Sequence, residues 1–325
     1  MRKKITILLV AAIMSLAAGS QAAEVALLSD VIIFHIDEVG NYQDSDSYRQ
    51  IAAELKLTSR IVQYQSINDK EFFFDENGRR KFNVLIFPGG EPYRWFEKKE
   101  GRGISCQGVD NIMKFIESGG SVIAICICGP SLFAAAQEWL SPNLEEARQG
   151  LWDCTSRHPG AFKAFCGVYP FKGILRGPQE TNRPYPKTRF LPIKMNPENE
   201  IVKTAKLPPI IYQVVVGGGS IIPDQGQPLD VVGWFPNGTA AIGIAPYGKG
   251  RIIMSNPHPN ITGERAQKWI ANGVLGKHAR RWGWTEQMIR DGLNLVQTEG
   301  DPDGPIPDWE LAKAMLAYAF TKAQQ

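Results

Sequence analysis

Three groups of residues in this 325-residue chain have the types and spacing to do chemistry together. The first is Cys126 with Cys128, inside the run GGSVIAICICGPSLFAAA at residues 119–136. The second is Pro88-Gly89-Gly90, which closes the apolar run NVLIF at residues 83–87. The third is His258, held between Pro257 and Pro259 just after the apolar run at residues 251–255. A thiol, an imidazole and a glycine-rich loop are the parts of Cys–His nucleophilic catalysis. The thiolate attacks, the imidazole manages its proton, and glycines let backbone N–H groups approach a developing oxyanion. Each part also has a plainer use. A buried cysteine serves as a small hydrophobe, Gly-Gly after a strand makes a tight turn, and a histidine in a proline-rich loop packs. Their common position, at the carboxyl ends of strands, is what joins them.

The elements that must position them follow from the pattern. Residues 122–125 are apolar and mostly β-branched, as in a strand buried on both faces of a parallel sheet. Gly129 ends that strand and Pro130 suits the first turn of a helix. Cys126 therefore belongs to a strand-to-helix turn, in the crevice where open α/β sheets bind ligands and beside a helix N-terminus, which favours thiolate. Further strands are expected within residues 25–36 and at 60–65 and 83–87, alternating with helices at 47–57, 68–74 and 109–118. Such alternation implies right-handed crossovers and a mostly parallel sheet. A helix at 130–140 precedes an irregular region at 141–199, with one short strand inside 168–178. The pattern then turns to β, with strands at 210–216, 229–234, 239–245 and 251–255 and a hairpin signal at Asn237-Gly238. Helices are expected at 263–271, 285–296 and 309–322.

Residues 1–23 read as a secretory signal peptide. Arg2, Lys3 and Lys4 precede an apolar stretch, and Ser20-Gln21-Ala22 offers small residues before a cut. The apolar stretch is shorter than the roughly 20 residues of a spanning helix, so no membrane anchor is expected to remain after cleavage. The chain has 36 basic and 33 acidic residues, and the excess lies in that leader. A balanced remainder argues against nucleic acid as a partner. All five cysteines follow the leader and would meet an oxidising compartment, secreted or periplasmic. Five is odd, so at least one thiol stays outside intramolecular bridges. Cys154 with Cys166 and Cys106 with Cys128 are candidate bridges that would leave Cys126 as the thiol, and other pairings are equally open. No metal or cofactor is expected; the expected partner is a small-molecule or peptide-like ligand.

NVLIFPGG (83–90), the cysteine elbow, GVYPFKGILRGP (167–178), VVVGGGSIIPD (214–224) and GKGRIIMSNPHPN (248–260) together resemble the class I glutamine-amidotransferase-like superfamily. Within it they are most similar to the branch named for the N-terminal domain of biotin-protein ligase, which also occurs as stand-alone bacterial proteins. The resemblance runs over residues 25–271, and nothing resembling a ligase catalytic domain follows. It implies a flavodoxin-like, mostly parallel open sheet flanked by helices, with an additional β-rich segment and C-terminal helices. The implied division is a domain at residues 24–275 and a helical extension at 276–325. Carried over, Cys126 is the nucleophile, His258 the base and Asn260 its partner. The backbone N–H groups of Gly90 and Ile127 form the oxyanion hole, and Gly89 and Gly218 complete the binding set. Two positions depart from the family. Its Gly-x-Cys-x-Gly elbow has Ala124 and Cys128 in the glycine places, and its His-Pro-Glu is His258-Pro259-Asn260. The elbow also looks like the AICHGP elbow of the intracellular-protease and deglycase branch. Alignment on Gly-Pro would put Cys128 at that histidine, whereas the strand register selects Cys126. Three readings follow: a secreted Cys–His hydrolase of amide or acyl bonds, a ligand-binding module with a degraded site, and a Cys126–Cys128 redox protein.

Overall fold

The computed structural model describes residues 29–35, 44–89, 104–126, 169–170, 189–215, 219–221, 228–235, 238–261 and 309–325. In chain order the elements begin with β1 (Val31–His35), α1 (Asp44–Glu54), β2 (Ser59–Gln63), α2 (Lys70–Phe73), β3 (Val84–Phe87), α3 (Cys106–Glu117) and β4 (Ser121–Ile125). There follow β5 (Tyr169–Pro170), β6 (Arg189–Met195), α4 (Glu200–Ala205), β7 (Ile210–Val215), β8 (Gly219–Ser220) and β9 (Asp230–Trp234). The last are β10 (Ala240–Tyr247), β11 (Gly250–Ser255) and α5 (Glu310–Ala323). The helices expected at 130–140, 263–271 and 285–296, and the boundary at 275, lie outside the described residues.

Nine strands form one open mixed sheet in the order β2-β1-β3-β4-β11-β10-β9-β6-β7. The neighbours from β2 to β11 are parallel. From β11 to β7 every neighbour is antiparallel. The expectation of a mostly parallel sheet is thus corrected to one that is parallel in one half and antiparallel in the other. The reason is local. Short connections such as 248–249 between β10 and β11 can only join antiparallel neighbours, so the β-rich segment extends the sheet. β5 and β8 pair separately.

A strand, β6, replaces part of the irregular region expected at 141–199, and a short helix, α4, begins just after it. β6 (RFLPIKM) contains Pro192, which lacks an N–H and argues against a strand. Its pairing with β9 is confined to Lys194 and Met195, so the proline sits beyond that ladder, although it lies opposite Tyr212 in the ladder with β7. α4 begins where the Asn199 side chain accepts the Ile201 N–H at 2.9 Å, a side-chain cap of the usual kind.

The strands of the parallel half are buried on both faces, which explains their near-continuous apolar runs. On one face Ile32, Phe34, Leu85, Phe87, Val122, Ala124, Ile252 and Met254 pack with α3 and with Phe73 and Phe82. Phe82 and Phe115 lie 4.8 Å apart, and Phe73 lies 5.7 Å from Phe115. On the other face Val31, Ile33, Val84, Ile86, Ile123, Ile125 and Ile253 pack with Tyr48, Ile51 and Ala52 of α1 and with Leu311, Met315 and Leu316 of α5. α5, expected within a C-terminal extension, shares the core of the sheet and touches β3, β4 and β11. The Arg80 guanidinium ties its end down, donating to Ala323 O at 2.6 Å and to Ser118 O.

The Gly248-Lys249-Gly250 turn has a packing reason. Gly248 has φ +56, and a Cβ on it would lie 2.7 Å from Glu117 Cα. A Cβ on Gly250 would overlap Gly120 O and Ile116 O. This turn is pressed against the end of α3, and β11 starts in register with Ser121 because nothing projects between them.

Candidate functional site

The site is built where β3, β4 and β11 end side by side. Phe87 lies opposite Ala124, and Ile125 opposite Ser255, in parallel register. Adjacent strands are about 4.8 Å apart, so the residues that follow these ends are neighbours by construction. They are Pro88 and Gly89 after β3, Cys126 after β4, and residues 256–260 after β11.

Cys126 is held in the left-handed region, with φ +58. A side chain there costs on the order of 1–2 kcal/mol. Its N–H donates to Ser255 O at 2.7 Å, so the first residue beyond β4 still bonds to β11 while its backbone turns away. A nucleophile elbow has this form: a sharp, strained turn at the end of a strand. Strained residues of this kind gather at functional sites. Cys126 is 6% exposed and carries its sulfur as a thiol. The Cys126–Cys128 bridge of the redox reading is therefore not formed. Cys106, the first residue of α3, is disulfide-bonded. Its partner is one of Cys128, Cys154 and Cys166, all outside the described residues.

The left-handed turn has a testable consequence. Cys126→Gly is expected to be more stable than Cys126→Ala by about 1 kcal/mol, although glycine is ordinarily the weaker residue within regular structure. Urea unfolding of the two variants measures the difference. A more stable alanine variant would show that the backbone does not turn this way.

His258 is 3% exposed and Asn260 fully buried, so the histidine is no surface loop residue. The segment that carries them is pinned along its length. Asn256 N–H donates to Ala241 O at 3.0 Å, and Ile261 N–H to His258 O at 3.1 Å. The Ser255 hydroxyl donates to Pro257 O at 2.9 Å. An asparagine at 260 can orient an imidazole, but it supplies no charge to stabilise imidazolium.

Gly89 has φ +122, a conformation in which an L side chain is strained, so the end of β3 requires glycine on backbone grounds. Gly90, Ile127 and Gly218, expected to donate N–H groups or line the site, lie outside the described residues. The structure thus brings Gly89, Cys126, His258 and Asn260 to adjacent strand ends. Among the described residues no group of three or more His, Cys, Asp or Glu could hold a metal ion.

Sequence reasoning passed over Asn256. It is fully buried, and neither amide atom has a hydrogen-bond partner among the described residues. An Asn-Pro dipeptide signals an exposed turn, so its local sequence gives no sign of this burial.

No protein-family model and no curated protein matches the chain. Among solved structures it is similar to SMU.1228c, with 13% identity and a TM-score of 0.47 over 91% of this chain and 100% of that one. It is also similar to cytoplasmic protein STM3548 from Salmonella typhimurium, with 12% identity and a TM-score of 0.41 over 70% and 87% of the two chains. A beta-galactosidase from Bacillus circulans sp. alkalophilus has 11% identity and a TM-score of 0.39 over 71% of this chain. This chain spans 28% of that enzyme's length.

Proposed function

We propose that this protein is a Cys–His hydrolase of amide or acyl bonds, built on a class I glutamine-amidotransferase-like scaffold. The single observation that carries the reading is the left-handed Cys126 at the end of β4, beside the strand that leads to His258. Cys126 attacks the carbonyl carbon and His258 takes the thiol proton, then returns it to the leaving group; water, giving its proton to His258, then cleaves the thioester, releasing the acid and restoring the thiol. The backbone N–H groups of Gly90 and Ile127 receive the oxyanion. The strand order β2-β1-β3-β4-β11 supports a flavodoxin-like parallel half, since it follows the 2-1-3-4-5 pattern. The substrate is a small-molecule or peptide-like ligand entering at the strand ends. The disulfide at Cys106 and the apolar leader support an exported, secreted or periplasmic protein. Among the described residues no helix is long and apolar enough to cross a membrane.

A second reading has its own observation. Asn260 stands where a carboxylate would stabilise imidazolium, which favours a crevice that binds amides without turning them over.

Alkylation of the unreduced protein by iodoacetamide near neutral pH, with peptide mapping, separates the two. A hydrolase elbow predicts that Cys126 reacts at least about tenfold faster than the same thiol in the urea-unfolded chain. It also predicts that His258→Ala removes this advantage, and that any amide hydrolysis by the native chain disappears in Cys126→Ser. A Cys126 that reacts more slowly than in the unfolded chain sinks the hydrolase and leaves the binding module.

A further inference from the structure

We infer that Asn256 is the residue that positions the substrate's amide group at this elbow, its side chain offering one donor and one acceptor to a primary carboxamide. The inference rests on the amide-directed reading of the same site and adds to it a residue and a mode of recognition.

Two separate costs meet at the end of β11. Cys126 holds a left-handed backbone. One residue beyond Ser255, whose carbonyl accepts the Cys126 N–H at 2.7 Å, Asn256 buries its whole side chain. Neither its Oδ1 nor its Nδ2 finds a partner among the described residues, although its backbone N–H is satisfied by Ala241 O. A buried primary amide without partners is costly, and an apolar residue of similar shape would be tolerated better. The main chain cannot be what demands asparagine, because its N–H bond to Ala241 is open to any residue but proline. Two residues on, the same short segment carries His258. A residue that lowers stability beside a strained nucleophile, on the strand that carries the base, has the profile of one kept for function.

The geometry also selects the ligand. An asparagine side chain presents a carbonyl oxygen and an NH₂ side by side. The complementary edge carries an acceptor and a donor at the same spacing, which a primary carboxamide has; a trans peptide group points its C=O and N–H in opposite directions, and an ester has no donor. Asn256 is thus a positioning residue that favours amides over esters.

The test uses the full chain as Cys126→Ala, in which no thiol chemistry occurs, labelled with ¹⁵N-asparagine. Acetamide is titrated and the side-chain NH₂ resonances of Asn256 are followed, with methyl acetate as the ester control. Saturable shifts with the amide and weaker ones with the ester are expected. Asn256→Leu in the same background should weaken amide binding about tenfold, read from the other asparagine signals that shift, and should raise the urea midpoint. Asn256→Ala is the second variant should leucine not fit. An Asn256 resonance that does not move with the amide, or amide and ester binding that Asn256→Leu leaves unchanged, overturns the inference. The two proposals fail separately. Slow alkylation of Cys126 with a saturable titration leaves an amide-binding crevice without turnover. Fast alkylation with no titration leaves the hydrolase and removes Asn256 from it.

Discussion

A chain ending at residue 308 does not fold. That result is expected because α5 is a wall of the core. Leu311, Ala312, Leu316 and Ala319 are 0% exposed and Met315 is 1% exposed. They belong to the same apolar cluster as Ile123, Ile125 and Ile253. Burying the three long side chains contributes about 5–9 kcal/mol, and removing them also bares the sheet face beneath. Domains of this kind hold only about 5–15 kcal/mol in total. The bared face belongs to β4 and β11, the strands that set Cys126 beside the segment carrying His258, so the site is lost with the helix. Circular dichroism and urea unfolding of the truncated chain check this. A cooperative transition within about 1 kcal/mol of the full chain would show that α5 is dispensable.

Gly250→Ala is the second severe change, with an expected loss of roughly 3–5 kcal/mol. The new methyl group would overlap Gly120 O and Ile116 O. Neither oxygen can step aside. Gly120 O accepts from Arg251 at 3.3 Å and Ile116 O from Gly119 at 2.9 Å, while Gly120 N–H is itself tied to Phe115 O at 2.9 Å. Relief requires β11 to slide or lift from β4, which breaks the Cys126-to-Ser255 hydrogen bond at the far end of the same strand pair. Gly238 is the control. It has φ +83, but a methyl group there would meet nothing within 4 Å, so Gly238→Ala is expected to cost only about 1 kcal/mol. Urea midpoints of the two variants give the comparison. Equal losses would mean that β11 is not packed against the end of α3 as described.

The parallel half of the fold was legible because residues buried on both faces must be apolar throughout. The expected strands at 60–65, 83–87 and 251–255 fall within one or two residues of β2, β3 and β11. The amphipathic helix expected at 109–118 starts earlier, at Cys106, since Ser105 caps it by accepting the Gly108 N–H at 3.3 Å. β6 was hidden by Pro192, whose cost in a sheet depends on whether a neighbouring strand needs its N–H; it lies opposite Tyr212 of β7 and beyond the ladder with β9, which only the tertiary pairing shows. Apart from β6, the antiparallel half was seen as strands but not as a continuation of the same sheet, because pairing partners far apart in the chain leave no mark on local periodicity.

The site divides in the same way. Residue type and order alone determined that a thiol, a glycine turn and a histidine would follow the ends of three strands, because a strand's end is written in where its apolar run stops. Tertiary structure decided the rest. Only the strand order makes β3, β4 and β11 neighbours, and only backbone geometry shows Cys126 turned to φ +58. The burial of Asn256 arises from elements packed around it, and no property of an Asn-Pro dipeptide announces it. Local sequence sets which groups are present and on which element. Long-range packing sets which of them meet, and at what energetic cost.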